Sequence, residues 1–182
     1  IAEIDRPLLA NYQVLTAKPL LVVLNVDENQ LAEGEKLEKE LALKVQGPLV
    51  RGAVIAGKLE SELGQMDEAE EREFRESLKA GESGLARMLR CSYEVLGLIS
   101  FFTVGPDECK AWTIASGTPA VKAAGKIHSD IERGFIRGEV VSYDDMVACG
   151  TLVEAKKRGL LRLEGKTYVV KDGDIINFLF SV

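Results

Sequence analysis

Asn25-Val26-Asp27-Glu28 brings one carboxamide and two carboxylates together at the end of the apolar run Pro19-Leu20-Leu21-Val22-Val23-Leu24. An amide offers both donor and acceptor, and ionised carboxylates only accept, so the set has the chemistry to read a mixed polar edge such as a nucleotide base. The Leu and Val residues before it, bounded by a proline and a polar cluster, predict a strand covered on both faces, as in parallel α/β sheets. Base-recognition loops sit at the C-terminal ends of such strands. Gly57-Lys58-Leu59-Glu60 follows a second apolar run, Gly52-Ala53-Val54-Ile55-Ala56. One helix plus one strand separates the two loops, which brings both to the same sheet edge. The tetrapeptide also suits a polar strand end followed by a helix cap.

Hydrophobic periodicity supplies the elements that hold these loops. Ile4, Leu8, Leu9, Tyr12 and Leu15 lie at helical spacing over Ile4 to Thr16, with Pro7 in a first turn. Leu31, Leu37, Leu41 and Val45 mark a second helix, closed by Gly47-Pro48. Helix, strand, helix, strand suits the end of a doubly wound sheet. Residues 67 to 80 predict a highly charged helix with Met66, Ala69, Phe74 and Leu78 as its apolar members. Ser83-Gly84-Leu85 starts another, whose Leu85, Met88, Leu89, Tyr93 and Leu96 form one stripe ending at Gly97.

From Leu98 the pattern changes to short strands. Ile99 to Thr103 and Ala111 to Ile114, with Gly105-Pro106-Asp107 between them, read as a hairpin. Gly117-Thr118-Pro119 supplies an N-cap and first-turn proline for a helix carrying Val121, Ala124, Ile127 and Ile131, stopped at Gly134. Phe135 to Val141 is a further strand, and residues 150 to 159 contain a short helix. Leu160 to Leu163, Thr167 to Val170 and Ile175 to Phe180 complete the sheet. A hairpin, one packed helix and further strands describe a β-grasp, the ubiquitin-like architecture. The expected organisation is residues 1–96 as an α/β unit and 97–182 as an α+β unit.

With 182 residues and 46% hydrophobic content the chain can bury a sizeable core in one or two units. No stretch approaches the roughly 18 apolar residues of a membrane helix, and the first residues lack the order of a secretion signal, so a cytoplasmic location is expected. The chain begins with Ile rather than Met and is expected to continue upstream. Residues 1–96 carry 12 basic against 18 acidic residues, and 97–182 carry 11 of each. The acidic run Asp67-Glu68-Ala69-Glu70-Glu71-Arg72-Glu73 reads as a solvated helix face. A net charge of −6 argues against non-specific nucleic-acid adhesion by the whole chain, but leaves room for a local basic face. Cys91, Cys109 and Cys149 fit neither a disulfide framework nor zinc-ligand pairs.

Ile127-His128-Ser129-Asp130-Ile131 and Lys171-Asp172-Gly173-Asp174 resemble a TGS domain. Longer stretches narrow the resemblance: Leu96 to Thr103, Arg133-Gly134-Phe135-Ile136-Arg137, Val141-Ser142-Tyr143-Asp144-Asp145, and Thr16-Ala17-Lys18-Pro19 before Asn25. Together they are similar to the Obg-like ATPases, the YchF family, over essentially the whole chain. The Asn-x-x-Glu form at Asn25–Glu28 departs from the Asn-Lys-x-Asp of guanine-specific P-loop hydrolases, and that departure implies adenine preference. The family resemblance implies a P-loop-type doubly wound nucleotide-binding domain ending within 1–96, followed by a TGS domain at 97–182. It also implies ATP (or GTP) with Mg²⁺ in the full-length protein, and association with ribosomes or ribosomal RNA. Asn25 would meet the Hoogsteen edge of adenine, with Val26 backbone near the exocyclic amine and Glu28 as the specificity change. Ala56, Gly57 and Lys58 would back the base, although relatives often carry Ser-Ala or Cys-Ala there.

Gly-x-x-x-x-Gly-Lys-Ser/Thr occurs nowhere in these residues, so this chain is not expected to hydrolyse nucleotide by itself. His128, the single histidine, suits a packing or helix-surface role, with ligand or RNA contact as the other reading. Lys156, Lys157, Arg158, Arg162 and Lys166 are candidates for ribosomal RNA phosphates, or a plain solvated face. Only Lys110 beside Cys109 could lower a thiol pKa, so the cysteines read first as core or neutral residues. The alternative function is a stand-alone TGS-type module binding RNA or protein without catalysis. A ubiquitin-like carrier is discarded, because the chain ends Phe178-Leu179-Phe180-Ser181-Val182 rather than in Gly-Gly.

Overall fold

The structure, a computed structural model, describes residues 12, 14–47, 49–78, 81–105 and 107–181. It divides into two compact units, Ile1–Leu96 and Gly97–Val182. The predicted opening helix lies mostly outside the described residues; its last part, Leu15–Ala17, is a 3-10 turn. In the first unit, parallel strands β1 (Leu20–Asn25) and β2 (Val50–Ile55) are joined through a 3-10 segment, Glu28–Glu33, and α1 (Gly34–Lys44). Then come α2 (Gly57–Leu63), α3 (Glu68–Leu78) and α4 (Gly84–Leu96).

β2 is covered on both faces. Gly52 leaves space that Leu41 of α1 occupies, Ile55 lies against Gly84 of α4, and Ala53 and Val54 are buried. β1 departs from the expected double burial: Leu20, Val23 and Leu24 are 54%, 45% and 38% exposed. The cause is topological, since among the described residues β2 is the one strand that pairs with β1.

The two edges of this sheet differ. In a parallel strand the N–H and C=O of one residue face the same side. Leu49 and Ile55 accept from Leu20 and Val26, both at 2.8 Å, so Val50, Gly52 and Val54 face away from β1. Val50 N–H donates to the Gly47 carbonyl at 3.3 Å, and its own carbonyl accepts from Arg51 at 2.9 Å. Val54 N–H donates to Glu38 Oε1 at 3.4 Å, its carbonyl accepts from Arg87 Nη1 at 3.4 Å, and Glu38 and Arg87 pair at 3.0 Å. Side chains and the Gly47 carbonyl thus occupy outward groups of Val50 and Val54 that an added strand would need.

Two predicted apolar faces point elsewhere. Phe74 and Leu78 of α3 are exposed, because that helix is held through Arg75 instead. On α4, Leu85, Leu89, Tyr93 and Leu96 face outward, while Gly84, Arg87, Met88, Cys91 and Val95 face inward. The Arg87 contact with Glu38 and Val54 fixes that rotation at the expense of the more apolar stripe.

The second unit contains β3 (Leu98–Val104), β4 (Cys109–Ala115), α5 (Ala120–Ile127), α6 (Ser129–Arg133), β5 (Phe135–Ser142), α7 (Tyr143–Cys149), α8 (Leu152–Lys157), β6 (Arg162–Glu164) and β7 (Asp174–Phe180). Its sheet has the order β4-β3-β7-β5-β6, with β3 and β7 parallel and the other pairs antiparallel. Strand alternation gives each face its own core. Phe101, Ile114, Phe135, Val140, Ile176 and Phe178 pack against Ala120, Ala123 and Ala124 of α5. Phe102, Val141 and Ile175 pack with Met146, Leu152 and Ala155 of α7 and α8. Small α5 side chains let the helix approach closely, and Phe178 meets Phe101 and Phe135 edge-on at 5.9 Å.

The long helix predicted over Thr118 to Gly134 breaks at His128, whose backbone is extended and whose Nδ1 accepts the Asp130 N–H at 3.2 Å. The Thr118 hydroxyl donates to the Ala115 carbonyl rather than capping α5, and Pro119 takes the cap position. Thr167 to Val170 is not a sheet strand: its backbone serves the start of α5, through Ala120 N–H to Tyr168 O at 2.7 Å and Val170 N–H to Thr118 O at 3.1 Å. Helix α7 was not foreseen, although Ser142 caps it by accepting the Asp145 N–H at 3.2 Å. Asp174 is 2% exposed and accepts from the Tyr168 hydroxyl at 2.7 Å and the Lys171 N–H at 2.9 Å. Burial, and then the Asp174 carboxylate, push the Tyr168 phenol up to about 12.

Phe101 is fully buried, and Phe101→Ala is expected to cost about 3–5 kcal/mol, read by urea unfolding followed at Trp112. Expressed alone, residues 97–182 are expected to melt cooperatively, whereas 1–96, whose described residues leave one edge of β1 unpaired and its faces half-covered, is expected to fray or aggregate. A cooperative melt of isolated 1–96 would refute the second expectation.

Candidate functional site

Asn25 is the last residue of β1 and stands opposite Ile55, the last residue of β2. Val26 extends the ladder by donating to Ile55 O at 2.8 Å, and packs on Ala56, Leu59 and Leu63. The Gly57 N–H, at the start of α2, donates to Asn25 Oδ1 at 2.9 Å. Because Gly57 contributes a donor, the amide oxygen faces it and the Nδ2 group is left to face elsewhere. A Cβ on Gly57 would come within 3.1 Å of that oxygen. The structure therefore brings Asn25, Val26, Ala56 and Gly57 together.

Asp27 builds the turn that carries the chain away. Its Oδ1 accepts the Asn29 N–H at 3.1 Å and the Asn29 amide at 2.6 Å, while its own N–H donates to Gln30 Oε1 at 3.1 Å. Glu28 is exposed at the start of the 3-10 segment, with no hydrogen-bond or ion-pair partner among the described residues. Gly57-Lys58-Leu59-Glu60 is not a loop but the first turn of α2, because Leu59 and Leu63, one turn apart, both bury against Ala56 and Val26. The Lys58 side chain is 90% exposed, with Glu62 at 4.0 Å.

Behind this turn lies a polar network that sequence reading missed. Arg75 donates from Nη1 to Glu60 Oε1 at 3.0 Å, from Nη2 to Glu60 Oε2 at 2.6 Å, and from Nε to Glu71 Oε1 at 2.7 Å. Burial raises the Glu60 carboxyl pKa, but the Arg75 fork, the Gly84 N–H and the charges of Arg75 and Arg87 outweigh it and hold it below its ordinary 4.5. The Glu60 pairing in turn holds the Arg75 guanidinium above its usual range. The i,i+4 spacing of Glu71 and Arg75 was a readable signal; the Glu60 partner, fifteen residues from Arg75, was not. A groove beside α3, lined by Glu68, Glu71, Arg72 and Arg75, does not include Asn25 or Gly57.

The basic candidates are partly engaged. Lys157 and Arg158 lie 3.8 and 3.2 Å from Glu154, and Arg162 lies 3.3 Å from Glu164 and 3.7 Å from Asp174. Lys156 and Lys166 are exposed, without ion partners among the described residues. His128 is a helix-surface cap rather than a core residue. Lys110 lies over the Trp112 ring at 4.5 Å, and burial followed by the Glu94 charge pushes the Cys91 thiol up. Among the described residues there is no grouping of His, Cys, Asp and Glu fit to hold a metal, and no helix long and apolar enough to cross a membrane.

Fold and site define a two-unit α/β protein in which the helix that follows one parallel strand starts on the asparagine that ends the other. The YchF-GTPase_C family model, described as a protein of unknown function (DUF933), matches residues 98–181. The chain is 42% identical over 182 residues to the ribosome-binding ATPase YchF of Bacillus subtilis, covering 99% of this chain and 50% of that protein. With the protein of the same name from Escherichia coli O157:H7 it shares 41% over 170 residues, covering 92% and 46%. The solved Schizosaccharomyces pombe YchF GTPase superposes with a TM-score of 0.80 at 30% identity, covering 98% of this chain and 48% of that one. A GTP-binding protein from Pyrococcus horikoshii, at 17% identity and a TM-score of 0.59 over 90% of this chain and 46% of its own, shares the fold alone. The chain belongs to the YchF (Obg-like ATPase) family, matching its C-terminal part. It spans about half the length of the curated relatives it matches, 50% and 46% of the two named here.

Glu60 should make the first unit acid-sensitive. A carboxyl held below its unfolded value contributes stability that is present above pH 4.5 and lost as pH falls through the lower folded value. Glu60→Gln should therefore flatten the stability profile below that pH, as read by denaturant titration at several pH values; an unchanged slope would remove the linkage.

Proposed function

We propose that this chain is the C-terminal portion of a ribosome-associated Obg-like nucleotide hydrolase that prefers ATP to GTP. In this reading residues 1–96 end a P-loop-type doubly wound nucleotide-binding domain, and residues 97–182 are a β-grasp TGS domain for ribosome or RNA docking. One observation carries the nucleotide reading: the Gly57 N–H bound to Asn25 Oδ1 across the ends of two parallel strands. With its oxygen engaged, the amide offers Nδ2 donors, and N7 of a purine is an acceptor. That contact is common to both purines, so preference for adenine rests on Glu28 in place of an aspartate and on the Val26 backbone near the exocyclic amine. Ala56, Gly57 and Lys58 back the base.

The asymmetric edges of the first sheet support the larger domain. At Val54 β2 is engaged by Glu38 and Arg87, and among the described residues β1 has no second partner strand, which supports a sheet that continues on the β1 side. The β-grasp reading is supported by the order β4-β3-β7-β5-β6 with α5 across one face. No Gly-x-x-x-x-Gly-Lys-Ser/Thr lies within these residues, so phosphate and Mg²⁺ contacts are not assigned to them. The bound nucleotide supplies the phosphoryl group to be transferred. These residues hold its base. Of the five candidates, Lys156 and Lys166 are the freest to meet RNA phosphate, with Lys157, Arg158 and Arg162 shared with carboxylates.

Asn25→Ala in the full-length natural product is expected to weaken ATP about tenfold, read by fluorescence titration with mant-ATP and mant-GTP, without lowering the melting temperature of the C-terminal unit. Equal affinity of the parent for ATP and GTP would overturn the adenine assignment. Ribosome co-sedimentation with no binding of either nucleotide would favour the second reading, a TGS-type binding module without catalysis.

A further inference from the structure

We infer that Arg75 is a positioning residue for the base contact, acting through Glu60 and α2 on the Gly57–Asn25 hydrogen bond. This rests on the base-reading role proposed for Asn25. Helix α3 has no buried residue, yet its Arg75 side chain is only 11% exposed. The guanidinium spends two parallel N–H groups on Glu60, at 3.0 and 2.6 Å. Such a fork fixes direction as well as distance. Its remaining bond, to Glu71, stays within α3, so Glu60 is its link to another element.

Glu60 lies one turn along α2 from Gly57. A helix of seven residues has little stability of its own, and its orientation is set by what it packs against. Leu59 and Leu63 bury one side of α2, and Glu60 is clamped on another between Arg75 and the Gly84 N–H. Gly84 is required there, since a Cβ would stand 2.8 Å from Glu60 Cγ and 2.9 Å from Ile55 Cδ1. The clamp thus fixes the tilt of α2, the tilt fixes the Gly57 N–H, and that N–H fixes which way the Asn25 amide points. Loosening it removes preorganisation from the N7 contact while leaving the rest of the base site in place.

The test is a competition titration of the full-length natural product, against a fluorescent ATP analogue, with ATP and with 7-deaza-ATP, in which N7 is replaced by C–H. The parent should bind ATP about fivefold more tightly than 7-deaza-ATP, and Asn25→Ala should erase the difference. Arg75→Met should lose about fivefold for ATP yet stay within about twofold for 7-deaza-ATP, and the exchange Arg75→Glu with Glu60→Arg should restore part of the difference. Equal losses for the two ligands in Arg75→Met would make the residue merely structural and overturn the inference. If the parent and Asn25→Ala both bind the two ligands alike, the base-reading role itself fails and the inference falls with it. Should Arg75→Met melt below the working temperature, Arg75→Lys, which keeps the charge and lacks the planar fork, decides: selective loss for ATP supports the positioning role, and equal loss or none refutes it.

Discussion

The parallel register that sets Asn25 opposite Ile55 is the constraint on which the first unit depends. Because both strands run the same way and end level, the chain leaves them side by side, and the first N–H of α2 meets the last side chain of β1. A slip of one residue would turn Asn25 to the other face and put Leu24 or Val26 in its place. Val26 could then no longer join Ala56, Leu59 and Leu63, which is the apolar contact that seats α2. Asp27 is consequently left free to shape the turn, and Glu28 to stand in solvent.

The two units solve their stability problems differently. The second relies on strand alternation, with Phe101, Phe135 and Phe178 meeting the alanines of α5, and with buried Asp174 satisfied by Tyr168 and the Lys171 N–H. Orientation in the first rests heavily on partly buried ion pairs, Glu38 with Arg87 and Glu60 with Arg75. Desolvation makes such pairs weak contributors to net stability, yet breaking one leaves an uncompensated charge, so they discriminate strongly between arrangements. This explains why α4 turns Arg87 inward while Leu85 and Leu89 face water.

Local signals were legible wherever one element decides its own fate. The strands at Leu20–Asn25 and Cys109–Ala115 stand out by composition, and Gly97 and Gly134 punctuate the chain where helices end. The nearness of Asn25 and Gly57 could be read because strand polarity dictates where the chain emerges, although the second segment proved to be a helix start and not a loop. What escaped depended on distant partners. Arg75 reads as one more charge in an acidic helix until Glu60 is beside it, and Thr167 to Val170 carries strand composition but spends its hydrogen bonds on the start of α5. The break at His128 escaped because an imidazole accepting the Asp130 N–H is a side-chain choice, invisible to periodicity.

The unequal edges of the first sheet limit how copies of this unit could polymerise. Gly47, Arg51, Glu38 and Arg87 already serve the outward groups of Val50 and Val54, whereas the outer side of β1 is bare among the described residues. If two copies of this unit join through β1, each presents to the outside a β2 edge whose Val50 and Val54 groups are already engaged. Strand exchange through this sheet is therefore favoured at β1 and opposed at β2.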